Sequence, residues 1–517
     1  MENDQGNAAI YFVDRQETGG NAQKIAFIEG TKEQRSLTYE ALGAQSGKLA
    51  HLYERHGLGA EDRAAMITLD CIEFPVIFWG SLKAGIIPIP INTLLSTDLY
   101  AAILSDARAK ALFVSAELLP VVEPALKHAP HIKVVFVIGE APEKYVSFSD
   151  ALLECERRPT RAASADECAF WLYSSGSTGK PKGVRHVHSA LQATSETYGA
   201  KVLGIETSDV VYSVAKLFFA YGLGNGMTFP MSVGATTVLY PQRPTPDAVF
   251  DIMKKFKPSI FCGVPTLYAA LLAAMKGSRP DGFDTLRRCI SAGEALPSEI
   301  GRKWSELINV EILDGVGSTE MLHIFLSNIP NDVAYGTSGV AVPGYELRLV
   351  DDQGGSVKTG DIGELLVKGD STASDYWNQR EKSKTTFEGH WTRTGDKYER
   401  REDGRYVYCG RTDDMFKVSG IWVSPFEVEQ ALIEHPAVLE AAVVPAMDSD
   451  KLEKPKAYVV LQAGIVGTDV EQDLINHVKQ AVGKWKYPRW IIFVDDLPKT
   501  ATGKIQRFKL RDGWTRV

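Results

Sequence analysis

The chain has 517 residues, of which 24% are charged and 44% are hydrophobic. A chain of this length predicts more than one domain, and its apolar content excludes wholesale disorder. The 57 basic and 65 acidic residues give a formal net charge of −8, which disfavours a general nucleic-acid binder.

The first twenty residues carry acidic side chains and no apolar run, so we expect neither a secretory signal nor a transit peptide. The uncharged stretch Ser259 to Met275 falls short of the roughly 20 apolar residues that cross a bilayer. We expect a buried strand that leads into a helix there, and no membrane contact. Six scattered cysteines without a C-x-x-C pair predict neither a disulfide framework nor a zinc site, which fits a reducing cytoplasm.

Short apolar runs alternate with stretches of helical period between Ala64 and Val137, and one helix is expected from Thr97 to Ala107. This alternation predicts βαβ units and a parallel sheet. After about Ala341, short strand-like runs divided by glycine predict a smaller antiparallel β region. The expected fold class is α/β, with a large N-terminal domain of βαβ-built sheets, an antiparallel β region and a small mobile C-terminal α+β domain.

A charged segment near Gly410 predicts the domain boundary, with residues 1–410 before it and 411–517 after it. Beyond it, the segment Ser424 to Glu427 predicts a helix start, because it offers a capping serine, a proline in the first turn and a glutamate that can reach back. From Lys484 onward nine basic residues stand against three acidic ones. This tail could meet a polyphosphate, although a solvated basic face explains the same pattern.

The segment YSSGSTGKPKG, Tyr173 to Gly183, has glycines and hydroxyl residues that leave donors free to surround an anion. Lys180 and Lys182 add positive charge, so the segment is typical of a polyphosphate cradle. It is not a Walker loop, because only two residues separate Gly176 from Gly179 and a proline follows Lys180. A flexible Gly/Ser surface loop is the plain alternative.

A second segment, DGVGSTE from Asp314 to Glu320, places a threonine hydroxyl beside a carboxylate. Such a pair could bind a phosphate oxygen and a Mg²⁺ ion, which prefers hard oxygen ligands. The alternative is a turn that caps a helix. The segment SAGEALP, Ser291 to Pro297, has the same two interpretations.

Several other catalytic templates are missing from the sequence. No G-x-S-x-G, H-E-x-x-H or G-x-G-x-x-G motif occurs. His186 and His188 have no cysteine or carboxylate cluster nearby in the sequence, so we expect surface or packing histidines rather than ligands. A serine hydrolase, a zinc protease and a Rossmann dehydrogenase are therefore disfavoured.

Six segments, in this order, resemble the adenylate-forming superfamily of acyl-CoA synthetases, luciferases and peptide-synthetase adenylation domains. They are YSSGSTGKPKG, SAGEALP, DGVGSTE, TGDKYER (Thr394 to Arg400), GRTDDMFKVSG (Gly410 to Gly420) and PKTATGKIQR (Pro498 to Arg507). Within that superfamily, KLFFAYGLGN (Lys216 to Asn225) and GSTEMLHIFLSN (Gly317 to Asn328) look like the benzoate-CoA ligase group.

The resemblance implies a two-step reaction carried out by a large N-terminal domain and a mobile C-terminal domain. A carboxylate first attacks the α-phosphate of Mg·ATP and gives acyl-AMP and pyrophosphate. The C-terminal domain then swings, and the thiol of coenzyme A displaces AMP to give a thioester. The implied small molecules are therefore ATP, Mg²⁺, coenzyme A and a carboxylic acid.

The resemblance also implies nucleotide-binding roles for the matching residues. The β- and γ-phosphates are expected at Ser174, Ser175, Gly176, Ser177, Thr178, Gly179, Lys180 and Lys182. The α-phosphate is expected at Thr319, and the adenine is expected at Gly293, Glu294 and Ala295. The ribose hydroxyls are expected at Asp396 and Arg411, and Asp314 is expected in the same cofactor site. Many relatives stack an aromatic residue on adenine two places before Ser318, where this chain has Val316, and an apolar contact replaces that stack.

Catalytic and hinge positions follow from the same resemblance. Lys504 matches the lysine that bridges the carboxylate and the α-phosphate in the first step only, and Thr319 and Glu320 complete the catalytic set. Glu320 is also the expected Mg²⁺ ligand. Asp413 matches the hinge, and Ser419 and Gly420 match a loop at the coenzyme A tunnel.

The segment Val214 to Thr228 contains no acidic residue, which disfavours an amino acid substrate because its buried ammonium group would lack a partner. Phe218, Phe219 and Tyr221 could form a flat apolar slot for an aryl ring, although aromatic side chains that only pack the core are the alternative. In the benzoate-CoA ligase group the matching pocket positions are Ala220, Tyr221, His323 and Ile324.

Benzoate is the leading expectation for the acid. A 2-aminobenzoate, a hydroxybenzoate or a fluorobenzoate comes next, because one added group changes the pocket free energy by only about 1–3 kcal/mol. A medium-chain fatty acid would require a longer channel. A nucleotide-binding homologue without catalysis is the alternative from a different class, and the presence of Glu320 and Lys504 argues against it. The sequence is compatible with a homodimer.

Overall fold

A computed structural model describes residues 6–175, 181–412, 414–418, 421–449, 452–462, 464–483, 485–499 and 505–511. Contacts divide the chain into two compact units. The first comprises Met1–Leu347 and Val367–Thr392, and the second comprises Arg348–Leu366 and Arg393–Val517. This grouping does not test where a functional domain boundary lies, so the boundary after residue 410 stays a prediction.

The first unit contains fourteen α-helical segments among its described residues. They are α1 (Arg15–Thr18), α2 (Tyr39–Ser46), α3 (Leu49–Arg55), α4 (Glu73–Ala84), α5 (Thr97–Ala107), α6 (Leu119–Val122), α7 (Phe148–Leu153), α8 (His188–Thr194), α9 (Ala220–Leu223), α10 (Phe229–Val233), α11 (Pro246–Phe256), α12 (Pro265–Met275), α13 (Ser298–Ile308) and α14 (Arg380–Thr386). Three π-helical segments, Ile10–Asp14, Ser195–Leu203 and Gly224–Thr228, adjoin these helices, and two short 3₁₀ segments span Ala116–Leu118 and Glu123–His128.

The strands of the first half of the chain are β1 (Ile25–Glu29), β2 (Ser36–Thr38), β3 (Arg63–Ile67), β4 (Ile87–Pro90), β5 (Ala111–Ser115), β6 (Val134–Ile138), β7 (Val146–Ser147), β8 (Cys168–Ser175), β9 (Pro181–Val187), β10 (Val210–Ser213) and β11 (Thr236–Leu239). The next strands are β12 (Ile260–Gly263), β13 (Arg288–Ser291), β14 (Ile312–Gly317), β15 (Ile324–Ser327), β16 (Val340–Ala341), β17 (Glu346–Val350), β18 (Ile362–Lys368), β19 (Asp375–Tyr376), β20 (Phe387–Glu388), β21 (Trp391–Arg400) and β22 (Tyr406–Arg411).

A five-stranded sheet in the first unit has the order β4-β3-β5-β6-β7, and all its neighbouring strands are parallel. Its first four strands are the apolar runs between Ala64 and Val137, and α5 has the predicted bounds. The βαβ prediction is therefore confirmed. Helix α4 adjoins this sheet, and it is apolar and buried along nearly its whole length because it packs inside the core.

A nine-stranded sheet has the order β16-β15-β14-β13-β12-β10-β11-β1-β2. Strands β10, β12, β13 and β14 are parallel to one another, so their carboxyl ends share one edge. Ligands of open α/β sheets bind outside the carboxyl ends of such strands. At this edge the chain continues into residues 214–219, 292–297 and 318–323, and the last two ranges contain the predicted adenine residues together with Thr319, Glu320 and His323. The strand and helix expected between Ser259 and Met275 are β12 and α12.

A smaller antiparallel sheet has the order β19-β9-β8. The strands β8 and β9 flank the predicted phosphate loop on its two sides. The short strand β19 pairs with β9, with Tyr376 opposite Val184. This pairing brings a segment nearly 200 residues later in the chain to the strand that carries Lys182.

The second unit begins with β-structure in which β21 and β22 are antiparallel, as expected for the region after Ala341. Its remaining elements are β23 (Phe416–Val418), β24 (Ile421–Val423), α15 (Pro425–Ile433), β25 (Val438–Met447), β26 (Glu453–Leu461), α16 (Gly467–Val482), β27 (Trp490–Phe493) and α17 (Arg507–Arg511). Strand β26 pairs antiparallel with β25 and parallel with β27. The small α+β region is therefore confirmed.

The predicted start of α15 is also confirmed, since the Ser424 hydroxyl caps the helix by accepting a hydrogen bond from the Glu427 N–H. The Glu427 carboxylate accepts two hydrogen bonds from the Lys486 ammonium group, at 2.8 and 2.6 Å. The side chain expected to reach back thus ties α15 to the segment before β27.

All six cysteines are free thiols. Among the described residues, no helix combines the length and the hydropathy needed to cross a membrane.

Candidate active site

The two strands around the predicted phosphate loop bring its ends together. Ser174 lies opposite Lys182, and Ser175 lies opposite Pro181. The hydroxyl of Ser174 is buried and has no hydrogen-bond partner within the described part of the chain. The other predicted loop residues, Gly176, Ser177, Thr178, Gly179 and Lys180, lie outside the described residues.

Lys182, Glu320 and Tyr376 form a compact polar cluster in the first unit. The Lys182 ammonium group lies 2.8 Å from Glu320 Oε1 and 2.8 Å from the Tyr376 hydroxyl. The Tyr376 hydroxyl donates a further hydrogen bond to the same Oε1, also at 2.8 Å. Lys182 also lies over the Tyr376 ring, 4.1 Å from its centre. The predicted site residues Lys182 and Glu320 therefore both contact Tyr376, which the motifs did not indicate.

Burial favours the neutral form of the Glu320 carboxyl, but the charge of Lys182 and the hydrogen bonds from Lys182 and Tyr376 outweigh burial, so the pKa of Glu320 lies below its usual value. The group is therefore a carboxylate at neutral pH. One ionised carboxylate that shares a site with substrate phosphates is the donor set that Mg²⁺ usually takes. Within the described ranges, no group of three His, Cys, Asp or Glu side chains could hold a metal ion by itself.

The turn that carries Thr319 and Glu320 connects β14 to β15. The Ser318 hydroxyl accepts a hydrogen bond from the Met321 N–H at 3.2 Å, and the Thr319 carbonyl accepts one from the Leu322 N–H at 3.2 Å. The alternative of a turn that caps a helix is wrong in one respect, because the strand β15 follows the turn. Val316, at the position where relatives stack an aromatic residue, lies half-buried on β14.

The predicted adenine segment follows the neighbouring strand β13. Gly293 has a φ of +96°, a left-handed conformation that glycine adopts without strain. The segment returns to β14 through the Leu296 N–H, which donates to Asp314 Oδ2 at 3.4 Å. Glu294 and Ala295 lie between these two points and are half-buried. The structure therefore places Gly293, Glu294, Ala295 and Asp314 at one edge of the sheet.

Asp314 is 5% exposed, and no hydrogen-bond donor in the described ranges reaches its Oδ1. Burial raises the pKa of Asp314 to about 8, although the Leu296 N–H acts in the opposite direction. The folded protein therefore holds a proton on Asp314 between about pH 4 and pH 8, where the unfolded chain has lost it.

Substitution of Asp314 by asparagine tests this protonation. As the pH rises from about 4 to about 8, the wild type should lose up to about 1.4 kcal/mol of unfolding free energy per pH unit. The reason is that the unfolded state binds fewer protons than the folded state over this range. The variant cannot ionise, so its urea midpoint should exceed that of the wild type by more at pH 8 than at pH 5. Asp284→Asn, at an exposed aspartate, is the control. An equal difference at both pH values would contradict a protonated Asp314.

Asp396 and Arg411 lie opposite each other on β21 and β22, in the second unit. Arg411 Nη1 donates to Asp396 Oδ1 at 3.0 Å and to the Thr394 carbonyl at 3.2 Å. The two residues predicted to bind the ribose are therefore a bonded pair.

The four predicted acid-pocket residues come from two segments that meet at the edge of the sheet. Ala220 and Tyr221 begin α9, and His323 and Ile324 lie where the turn enters β15. The rings of Tyr221 and His323 lie 5.8 Å apart, and His323 Nε2 lies 3.4 Å from the Tyr221 carbonyl. The Tyr221 hydroxyl donates to the carbonyls of Gly263 and Ile290, at the ends of β12 and β13. These contacts fix both segments to the same strand ends.

His323 is a neutral packing group in this pocket. Its ring lies 4.5 Å from that of Phe229 and 5.2 Å from that of Tyr198. Burial lowers the pKa of His323 to about 3, against the opposing effect of the Tyr221 carbonyl. This side chain therefore contributes an aromatic ring and no positive charge to the predicted acid site.

His186 and His188 are packing residues, one of the two possibilities that the sequence left open. His186 stacks on Phe170 with a ring distance of 5.1 Å, and His188 Nδ1 accepts a hydrogen bond from the Ala8 N–H at 3.1 Å. Burial lowers the pKa of each imidazole to about 4.

Four predicted residues of the C-terminal part are outside the described residues. They are Asp413, Ser419, Gly420 and Lys504.

Sequence reasoning missed two groups that support the site. One is Tyr376. The other is Asp106 on α5, which accepts a hydrogen bond from the Tyr173 hydroxyl at 2.5 Å and one at its carbonyl from the Trp377 indole at 2.9 Å. Tyr173 is the first residue of the predicted phosphate segment, so Asp106 and Trp377 fix the strand that leads into it. No motif or spacing in the sequence connects these residues.

The chain is similar to known ligases over nearly its full length. It is 52% identical over 509 residues to a 4-hydroxybenzoate–CoA/benzoate–CoA ligase of Rhodopseudomonas palustris, which covers 98% of this chain and 94% of that protein. It is also 52% identical over 513 residues to a benzoate–CoA ligase of Thauera aromatica, with 98% and 95% covered.

Solved structures agree in fold. A benzoate CoA ligase from Burkholderia xenovorans LB400 aligns with a TM-score of 0.89 and 45% identity over 98% of this chain and 99% of that one. An anthranilate CoA ligase in complex with anthranoyl-AMP aligns with a TM-score of 0.92 and 41% identity over 98% and 96%. Residues 14–377 match the AMP-binding enzyme family, and residues 427–504 match the AMP-binding enzyme C-terminal domain. The chain therefore belongs to the family of AMP-binding enzymes, within which its relatives are adenylate-forming CoA ligases.

Proposed function

We propose that the chain is an AMP-forming benzoate–CoA ligase. It converts benzoate and ATP to benzoyl-AMP and pyrophosphate, and then transfers the benzoyl group to coenzyme A with release of AMP. The observation that carries the choice of acid is the cluster of aromatic rings around neutral His323, three residues after the carboxylate of Glu320 on the same turn. A benzoate ring placed there would lie close to the proposed phosphate site.

The first step brings two anions together, so the site must supply cations aimed at the charge that moves. Lys182 and the segment Ser174 to Lys180 hold the β- and γ-phosphates, Thr319 holds the α-phosphate, and Lys504 bridges the carboxylate and the α-phosphate. Mg²⁺ bound at Glu320 supplies further positive charge to the phosphates. The Lys182–Glu320 ion pair must open as the phosphates take up Lys182.

The remaining roles follow the family pattern. Gly293, Glu294 and Ala295 border the adenine with Asp314 behind them, and Asp396 and Arg411 bind the ribose hydroxyls. The region after residue 410 alternates about Asp413, and Ser419 and Gly420 border the tunnel for coenzyme A. We also propose a cytoplasmic location, which the six free thiols support.

A second acid is supported by one specific observation. The Rhodopseudomonas palustris relative is named for both 4-hydroxybenzoate and benzoate. A pocket that accepts benzoate discriminates weakly against one small added group, by about 1–3 kcal/mol. 4-Hydroxybenzoate is therefore the second candidate substrate.

The direct test measures AMP and pyrophosphate release with Mg·ATP and coenzyme A over a panel of acids. The panel contains benzoate, 2-aminobenzoate, 4-hydroxybenzoate, a fluorobenzoate, phenylacetate, hexanoate and free amino acids. We expect turnover confined to small aryl acids. Preference for hexanoate would overturn the aryl pocket but keep the chemistry, and nucleotide binding without turnover of any acid would indicate a non-catalytic homologue.

The substitution Gly224→Ala tests the position of the acid pocket. A Cβ at Gly224 would lie 2.4 Å from His323 Cδ2 and 2.9 Å from Phe229 Cζ, so both rings must move. Such overpacking costs about 1–3 kcal/mol. If the displaced rings disturb bound benzoate by the same free energy, kcat/KM for benzoate should fall by about 5- to 150-fold. The KM for ATP should stay unchanged.

Gly226→Ala is the matched control, because a Cβ there would meet Leu217 Cδ2 at 3.0 Å and lies away from His323. We expect a much smaller loss in this variant. Equal losses for the two variants, or a loss at Gly224 that affects ATP and benzoate alike, would contradict a benzoate pocket lined by His323.

A further inference from the structure

Tyr376 contacts two predicted site residues, yet neither the sequence motifs nor the names of the relatives give it a role. Its hydroxyl contacts Glu320 Oε1 and Lys182 Nζ, each at 2.8 Å, and its side chain is only 3% exposed. We infer that Tyr376 is a positioning residue that orients the Glu320 carboxylate for Mg²⁺, an inference that rests on the proposed role of Glu320 as the metal ligand.

The backbone around Tyr376 is fixed to the backbone around Glu320. The Ala373 N–H donates to the Glu320 carbonyl at 2.8 Å, and the Ser371 hydroxyl donates to the Met321 carbonyl at 2.7 Å. On its other side, β19 pairs with β9. The phenol is therefore held between the strand of Lys182 and the turn of Glu320, and its position does not depend on a flexible side chain.

The ring is held as firmly as the backbone. It packs in a small apolar cluster with Val184 and Ala373, and its centre lies 5.2 Å from that of Phe387. A ring fixed in this way can aim its hydroxyl at one oxygen. Two of the three hydrogen bonds of the cluster reach Oε1, so this oxygen of the Glu320 carboxylate is held in place.

Lys182 and Tyr376 differ in what they do to the carboxylate. The ammonium group of Lys182 neutralises the Glu320 charge, and it is the group that turns to the phosphates when nucleotide binds. The phenol orients the carboxylate and leaves its negative charge intact. After Lys182 has moved, Tyr376 is the donor that still restrains Glu320. Partners of this kind, which orient a metal ligand, typically change metal affinity by about 10- to 100-fold when they are removed.

The test is a titration of the intact protein with Mn²⁺ in the presence of α,β-methylene-ATP, with free Mn²⁺ measured by electron paramagnetic resonance and no turnover. We expect Tyr376→Phe to weaken Mn²⁺ binding by about 10- to 100-fold. The affinity for α,β-methylene-ATP without metal should stay unchanged. Phenylalanine keeps the ring contacts with Phe387 and Lys182, so the variant retains its packing, which its melting temperature checks.

Two further variants give the outcomes their meaning. Tyr39→Phe removes a buried hydroxyl that donates only to the Ala235 carbonyl, and it should bind Mn²⁺ as the wild type does. Glu320→Gln should lose Mn²⁺ binding more severely than Tyr376→Phe. If Glu320→Gln lost Mn²⁺ binding while Tyr376→Phe bound Mn²⁺ normally or more tightly, the role of Tyr376 would be overturned and the proposed function would stand. Unchanged Mn²⁺ binding in Glu320→Gln would overturn the metal site itself. Equal losses of Mn²⁺ affinity in Tyr376→Phe and Tyr39→Phe would show that Tyr376 has only a general structural role.

Discussion

Replacement of Lys504 by alanine is expected to slow benzoyl-AMP formation by about 10² to 10³-fold, the loss that accompanies removal of one donor aimed at the transition state. Thioester formation from supplied benzoyl-AMP should stay close to that of the wild type, because the role proposed for the lysine is confined to the approach of the carboxylate to the α-phosphate. Pyrophosphate release measures the first half-reaction, and benzoyl-CoA formed from synthetic benzoyl-AMP measures the second.

The matched control is Lys509→Ala. Lys509 is an exposed lysine on α17, five residues after Lys504, and its replacement removes the same charge from the same part of the chain. We expect both half-reactions to continue at wild-type rates in this variant. A comparable loss of both half-reactions in Lys504→Ala would rule out a role confined to the first step, and a loss of adenylation in Lys509→Ala would indicate a general effect of charge.

The segment that follows Lys504 is anchored inside the second unit. Arg507 Nε donates to Glu429 Oε1 at 2.9 Å, and its Nη2 donates to Glu429 Oε2 at 2.6 Å. Glu429 is 3% exposed and also accepts a hydrogen bond from the Val443 N–H at 2.7 Å. A buried and fully bonded pair of this kind resists displacement, because separation would leave a buried charge unpaired. The segment that contains Lys504 is therefore anchored three residues later, at Arg507.

Local signals account for the elements that the sequence predicted well. Helix α5 has the predicted bounds because its apolar period lies within eleven residues, and the start of α15 is specified by four consecutive residues that include the Ser424 cap. The parallel strands β3 to β6 are short apolar runs bounded by helices. The motif residues Lys182 and Glu320 were also predictable, because each lies in a short segment with a recognisable composition.

The rest depends on contacts between distant parts of the chain. Tyr376 is 56 residues from Glu320 and 194 residues from Lys182. The pairing of β19 with β9 brings it to Lys182, and the hydrogen bond from the Ala373 N–H to the Glu320 carbonyl brings it to Glu320. His186 lies between the half-buried residues Arg185 and Val187 on β9, so its own segment does not reveal that Phe170 covers it. The protonation of Asp314 likewise depends on burial at the edge of β13 and β14. Long-range pairing and burial are properties of the assembled sheet, and short sequence windows do not contain them.

Substitution of Asp413 by proline is expected to have the opposite effect to Lys504→Ala. Adenylation should continue, while thioester formation from supplied benzoyl-AMP should fall by about 10²-fold. A loss of this size is typical when a reacting group is held slightly out of its productive position. Proline fixes φ near −65°, so a hinge at this residue could no longer alternate between two backbone conformations. The measurement is the same pair of half-reactions.

Ion pairs and hydrogen bonds are present on both sides of position 413. Before it, Arg411 is bonded to Asp396 on β21. After it, Asp414 binds Arg511 at 2.5 Å and lies 3.7 Å from Arg507, so it is tied to the segment that follows Lys504. The Arg411 carbonyl also accepts hydrogen bonds from the Asp414 and Met415 N–H groups, both at 3.1 Å, so both groups belong to the second unit and the hinge at position 413 stays a prediction. Asp413→Ala loses the same side chain but keeps its freedom of φ, and it should retain far more thioester formation than Asp413→Pro. Equal rates in the two variants would place the rotation at another residue, because a hinge at 413 requires the proline to be the more damaging change.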